Sequence, residues 1–193
     1  IGRLEGARVL LVIFFLYQLA FYVYPATWAY FTQARFGWEP GLIGVSLAIF
    51  GISMAAVQGG LIRVLQPRLG ERGMVATGLA LSVTTFGALA VLTSGAAAMA
   101  LIPVAALGAI TPPALQSIMS RTARDDEQGR LQGVLTSINA VAVILAPLVM
   151  TATFAAFTHP DAPVRLPGAA FVLSAGLVAG ALILFLRGAS RRA

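Results

Sequence analysis

Long uncharged apolar runs, separated by short charged strings, make up nearly the whole chain. A run of about 20 apolar residues crosses the ~30 Å hydrocarbon core of a bilayer as a helix. Six such spans can be drawn, at about residues 9–31, 42–62, 73–93, 97–120, 131–157 and 168–186. Residues 73–120 carry no charge and are long enough for two of them. The break between those two is predicted at Thr93-Ser94-Gly95, where turn residues cluster. A β-barrel would need roughly ten-residue strands alternating apolar and polar side chains. Segments such as Val141-Ala142-Val143-Ile144-Leu145 do not alternate, whereas helices satisfy their own backbone polar groups in lipid. The predicted fold class is all-α: six transmembrane helices forming one domain across residues 1–193.

Composition agrees with the pattern. Of 193 residues, 59% are hydrophobic and 10% charged, and the mean hydropathy is +0.88. Soluble domains average about 25% charged residues, and disorder needs low hydrophobicity, so both classes are excluded. The net charge of +6 comes with thirteen basic residues, all Arg. They lie between apolar runs, which argues for topology signals and against nucleic-acid binding. With six spans, eleven fall on one side: Arg3, Arg8, Arg63, Arg68, Arg72, Arg121, Arg124, Arg130, Arg187, Arg191 and Arg192. Only Arg35 and Arg165 fall on the other. Positive-inside asymmetry predicts cytoplasmic termini. There is no Cys, one His, and seven scattered carboxylates, so no metal, cofactor or enzymatic chemistry is expected. The chain opens Ile1-Gly2-Arg3, and the uncharged run after Arg8 exceeds the 7–15 apolar residues of a signal peptide. The expectation is a fragment of a longer protein.

No Asp, Glu, Lys, Arg or His lies well inside a span. Proton-coupled carriers usually keep an intramembrane ionisable group, so such a group is expected outside this chain. Neutral polar residues are patterned instead. Gln132, Thr136 and Asn139 form one helical stripe. Asn139 lies about 14 Å along the helix from Arg130, near the membrane midplane. Gln18 sits at similar depth, with Tyr22 one turn on and Pro25 beyond it. Pro112, Gln116 and Ser120 share a face of span four, and Gln58 ends span two. These amides either bridge helices, at roughly 0.6 kcal/mol per contact, or line a polar substrate path at the depth where carriers bind substrate.

Aromatics crowd span one. Trp28 and Phe31 read as packing or an interfacial belt, or as cavity lining for an aromatic substrate. Pro25, Pro103, Pro112, Pro113 and Pro147 place bends in spans one, four and five. Gly51, Ala55 and Gly59, and the Gly176-x-x-x-Gly180 pair, read as helix-packing stripes. Span six, with Ser174 as its one polar side chain, reads as a lipid-facing outer helix. Asp125, Asp126 and Glu127 precede span five, where carboxylates favour a helix N-terminus.

The strings between and within the spans carry a resemblance. They are Arg35-Phe36-Gly37-Trp38, the segment Ile43 to Ile52, Gly70-Glu71-Arg72, Pro113-Ala114-Leu115-Gln116, Met119-Ser120-Arg121, Gln128-Gly129-Arg130-Leu131-Gln132-Gly133 and Pro147-Leu148. In this order and spacing, over about residues 9–157, the chain resembles the C-terminal half of a twelve-span major facilitator transporter. Within that superfamily it is similar to the tetracycline-resistance drug/proton antiporters. The resemblance implies a half-bundle whose spans one, two, four and five line a central cavity, partnered by an N-terminal six-helix half. It implies export of a hydrophobic or amphiphilic substrate in exchange for protons. The substrate-contact candidates are Gln18, Tyr22, Trp28, Phe31, Ser82, Gln116 and Asn139, and Arg68, Gly70, Glu71 and Arg72 form the cytoplasmic loop motif. Three positions depart from the family pattern: Ser82 where tetracycline pumps typically carry Asp, Met54 where many carry His, and Arg63 where the loop motif usually has Gly. The alternatives are a metabolite or sugar facilitator of the same superfamily, and a transport-inactive half-sized membrane scaffold.

Overall fold

A computed structural model describes residues 4–190, with side chains described from Arg8 to Gly188 except Asp125. Arg3, Arg191 and Arg192 lie outside the described residues. The helices are α1 (Leu4–Phe21), α2 (Val23–Phe36), α3 (Pro40–Ala56), α4 (Ile62–Val91), α5 (Gly95–Ala106), α6 (Thr111–Thr122), α7 (Gln128–Thr158) and α8 (Ala169–Ser190). A π-helical turn (Val57–Leu61) joins α3 to α4, and 3₁₀ segments occupy Leu107–Ile110 and Asp125–Glu127.

Five helical stretches among the described residues are long and apolar enough to cross a membrane. One of them, Pro40–Val91, is 52 residues long. At ~1.5 Å per residue that is about 78 Å, more than twice a bilayer core. It comprises two helices, because the backbone leaves the helical region at Gly70 (φ 63, ψ 172). That conformation strains any residue with a Cβ. The fold is therefore a six-helix bundle in which α1 with α2, α3 with the start of α4, the rest of α4, α5 with α6, α7 and α8 are successive arms.

Each break has a local cause. Pro25 has no N–H for the Phe21 carbonyl, and the chain bends at Tyr22 (φ −68, ψ 0) between α1 and α2. Helix α2 stops at Gly37, whose left-handed φ of 66 turns the Gly37 and Trp38 amides back to the Gln33 and Thr32 carbonyls. Pro40 opens α3, where a missing N–H costs nothing. The fourth and fifth arms part at Leu92-Thr93-Ser94, and the Ser94 hydroxyl accepts from the Ala97 amide to start α5. Pro112 and Pro113 cannot donate to the Gly108 and Ala109 carbonyls, and the backbone tightens to 3₁₀ there.

Helix α8 packs against both α1 and α4. It buries Phe171, Ser174, Val178, Ala181 and Phe185 along one stripe and leaves Val172, Ile183 and Leu186 exposed. The last helix is thus a packed wedge on one face and open on the other. Its start touches the end of α4 so closely that a Cβ on Gly168 would overlap the Ala90 backbone. Helices α4 and α6 also meet at close range, since a Cβ on Gly78 would overlap the Thr111 hydroxyl. The stripes expected to pack behave otherwise. Added Cβ atoms at Gly51, Gly59, Gly176 and Gly180 would meet nothing within 4 Å, so these residues do not mediate contacts between helices of this chain.

The Arg35-Phe36-Gly37-Trp38 string is a clamp. The Arg35 guanidinium donates to the Leu92 carbonyl at 2.9 Å and the Val91 carbonyl at 3.2 Å, at the negative C-terminal end of α4. Trp38 is buried against Gly95, where a Cβ would stand 2.6 Å from the indole nitrogen.

Candidate substrate site

The first arm (α1 with α2) and α7 meet through three polar side chains. The Gln18 amide and the Tyr22 hydroxyl both donate to Asn139 Oδ1, the tyrosine at 3.2 Å. Gln18 and Tyr22 are one turn apart on the same face, and their partner lies 121 residues from Gln18 in sequence. All three side chains are half-buried. Along α7 the stripe continues to exposed Thr136 and Gln132. The buried ridge of α7 is apolar: Leu131, Leu135, Ala142, Ala146 and Met150. The amide cluster therefore stands at the margin of the packed core, where polar atoms can pair with each other and with a ligand.

The other candidates lie apart from this cluster. Trp28 and Phe31 are buried in an aromatic nest. Phe31 packs 4.7 Å from Phe171 between centroids, and Trp28 stands edge-on to Trp38. The Trp28 indole donates to Ser46 Oγ at 2.9 Å, which joins α2 to α3. Ser82 is buried and donates to the Gly78 carbonyl of its own helix at 2.8 Å. Its hydroxyl faces Gly108, where a Cβ would collide with it. Gln116 is half-buried on α6, outside the hydrogen-bonded group. Gln58 is exposed within the π-helical turn.

In the loop motif, Glu71 accepts from Ser117 and pairs with Arg121 at 3.0 Å. The hairpin at Gly70 is thereby tied to the end of α6, while Arg68 and Arg72 are exposed. Ser120 and Gln128 exchange two hydrogen bonds, at 2.9 and 2.8 Å, that close the link from α6 to α7. Among the described residues, no cluster of His, Cys, Asp and Glu could hold a metal ion.

Tyr17 was not a sequence candidate, yet it does specific work. Its buried hydroxyl donates to the Gly108 carbonyl at 2.8 Å. That carbonyl is the one Pro112 leaves without a helical partner, being four residues upstream. The proline spacing alone signals the orphan acceptor; only the fold supplies its donor. Tyr24, seven residues on, ends in a buried hydroxyl with no hydrogen-bond partner, as does Thr111.

Residues 10–193 match the model of the Major Facilitator Superfamily. The chain belongs to that superfamily. It is a multi-pass membrane protein. It is similar to the class C tetracycline resistance protein of Escherichia coli, with 36% identity over 184 residues, 95% of this chain and 45% of that protein. It is also similar to the class E protein of Escherichia coli, at 35% over 91% of this chain and 42% of that protein. The class G protein of Vibrio anguillarum matches at 37% over 79% of this chain and 39% of that protein. The chain thus spans less than half the length of these relatives. The class C match covers enough of the chain to reach into α8, beyond the reach of the string motifs.

Proposed function

We propose that this chain is the C-terminal half of a drug/proton antiporter of the bacterial inner membrane, with both termini cytoplasmic. The observation that carries this reading is the 36% identity to a tetracycline resistance protein over 95% of the chain. The partner is an N-terminal six-helix half, and alternating access rocks the two halves about a central site. Substrate, a small hydrophobic or amphiphilic molecule, meets this half at Gln18, Tyr22 and Asn139. Their placement supports this: they are half-buried, neutral, and lie well inside the first arm (α1 with α2) and α7. Trp28, Phe31 and Ser82 contribute by packing the helices that carry them. Gln116 and the exposed α7 stripe complete the polar lining. The spans lack Asp, Glu, Lys, Arg and His, so the proton-carrying group belongs to the other half. Arg68, Gly70, Glu71 and Arg72 form the cytoplasmic hinge that the Glu71–Arg121 pair holds closed.

The test is a drug-susceptibility panel in cells lacking other efflux pumps. The full-length transporter should raise resistance to at least one amphiphilic drug in a manner abolished by a protonophore. This chain alone should raise none. Single cysteines in this Cys-free chain test the orientation: Ser94→Cys should react with an impermeant thiol reagent from outside, and Gln128→Cys should not. Resistance insensitive to the protonophore, or the reverse labelling pattern, contradicts the proposal.

A further inference from the structure

The second arm, α3 with the start of α4, leaves the α-helical ladder before it reaches its charged end. In the π-helical turn Val57–Leu61 the Ile62 amide bonds to the Val57 carbonyl, five residues back rather than four. Helix α4 resumes at Ile62. A ladder that returns from five residues back to four passes over one carbonyl, and here that carbonyl lies just after Val57. The residues at this point are Gln58, Gly59 and Gly60, all exposed. A Cβ added to either glycine would meet nothing within 4 Å, so no side chain shields the backbone there.

The turn sits inside the apolar run. Gln58 follows Pro40 by 18 residues, about 27 Å along the arm. Arg63, the first charged residue after it, stands about 7–8 Å further on. Backbone that departs from the α ladder at membrane depth persists where protein buries it or where it borders water, because lipid supplies no donor to a carbonyl. Val57 is buried, and the turn meets the 3₁₀ segment Leu107–Ile110 and α4. Gln58, Gly59 and Gly60 remain uncovered. They belong to the least covered of the five apolar stretches, with 11% of its most apolar window buried. An exposed amide, a passed-over carbonyl and two bare glycines together make a polar opening in an apolar helix.

We infer that the π-helical turn borders the water-filled transport path near its cytoplasmic end. The Gln58 amide and the passed-over carbonyl are there a polar contact for substrate, separate from Gln18, Tyr22 and Asn139. The carbonyl accepts from water or from a substrate N–H or O–H, and the Gln58 amide donates or accepts. The glycines let a ligand approach the backbone closely. This inference rests on the reading of the chain as half of an efflux carrier.

The test places single cysteines in the full-length transporter, otherwise freed of cysteine, at Gln58, Gly60, Ile52 and Gln128. Inside-out membrane vesicles are treated with a cationic, impermeant methanethiosulfonate, and tetracycline transport is measured before and after. Gln58→Cys and Gly60→Cys should react within about tenfold of the rate of Gln128→Cys, and Ile52→Cys at least about a hundredfold more slowly, because a thiol reacts as its hydrated thiolate. Labelling at Gln58→Cys or Gly60→Cys should remove most of the transport that the variant shows beforehand, and labelling at Gln128→Cys should not. If Gly60→Cys fails to accumulate, Gln58→Cys alone decides. Labelling at both positions as slow as at Ile52→Cys means that lipid or a helix of the other half covers the turn, and overturns the inference. So does fast labelling that leaves transport unchanged. In both cases the efflux reading stands while tetracycline is carried. Absence of tetracycline transport by the cysteine-free protein contradicts the efflux reading itself, and is told apart because the labelling rates do not depend on it.

Discussion

Helices α7 and α8 are almost equally apolar, with mean hydropathy 2.2 and 2.5 over their most apolar stretches. Yet 39% of that stretch is buried in α8 and 17% in α7. Helix α8 presents Phe171, Val178, Ala181 and Phe185 to α1 and α4, and the polar side chain within its apolar stretch is spent internally, Ser174 donating to the Ala20 carbonyl at 3.2 Å. Helix α7 touches the core along a narrow ridge, keeps Gln132 and Thr136 exposed and leaves Asn139 half-buried. In lipid, an apolar surface gains little from burial against another apolar surface. What distinguishes the two helices is where their polar atoms go. In α8 they lock a packed joint; in α7 they remain available.

That contrast is sharpest at glycine. Gly168 sits where α8 begins against the Ala90 backbone, and Gly176 on the same helix faces open space. Gly168→Val must push two backbones apart and should cost about 3 kcal/mol or more. Gly176→Ala should stay within about 0.5 kcal/mol. Thermal unfolding of detergent-purified protein, followed by size-exclusion fluorescence, checks both. Equal losses at the two positions would erase the distinction between the packed and open faces.

The two buried tyrosines of the first arm sharpen it next. Tyr17→Phe strands the Gly108 carbonyl that Pro112 has already deprived of a donor. It should lower stability by about 1–3 kcal/mol. Tyr24→Phe removes a buried hydroxyl that has no partner and should be neutral or stabilising by up to about 1 kcal/mol. Unfolding midpoints of the pair, measured side by side, should move in opposite directions or differ clearly in size. A larger loss for Tyr24→Phe would contradict the hydrogen-bond assignments. A small effect is also expected at the exposed end of the bundle. Arg121 is 73% exposed in its pair with Glu71, so Arg121→Ala should cost under about 1 kcal/mol and less at high salt. A loss comparable to Tyr17→Phe would mark that pair as a structural anchor.

The number of helices was legible because charge is confined to the ends of apolar runs, and the break expected at Thr93-Ser94-Gly95 from its turn residues falls one residue earlier, at Leu92-Thr93-Ser94. The similar depth of Gln18 and Asn139 was legible, since rise per residue places polar atoms along the membrane normal; that they bond to each other was not. The facing of helices was not legible. Trp28 and Phe31, candidates for cavity lining as well as for packing, are locked in the aromatic nest around Phe171; the sequence left both readings open because an apolar helix shows similar side chains on every side. Likewise, small-residue stripes look alike whether packed, as at Gly78, or open, as at Gly176. The π-helical turn at Val57–Leu61 carries no distinctive signal beyond its adjacent glycines.

The account turns on Gln18 and Asn139 acting on substrate as well as on each other. Gln18→Leu, Asn139→Leu and the double variant of the full-length transporter, measured for abundance and for export of several chemically distinct drugs, test it directly. Abundance should fall by no more than the ~1 kcal/mol of a helix-bridging bond, and the ranking of exported drugs should change in each variant. Wild-type ranking at normal abundance in all three would contradict the account and leave the pair as a bridge between helices.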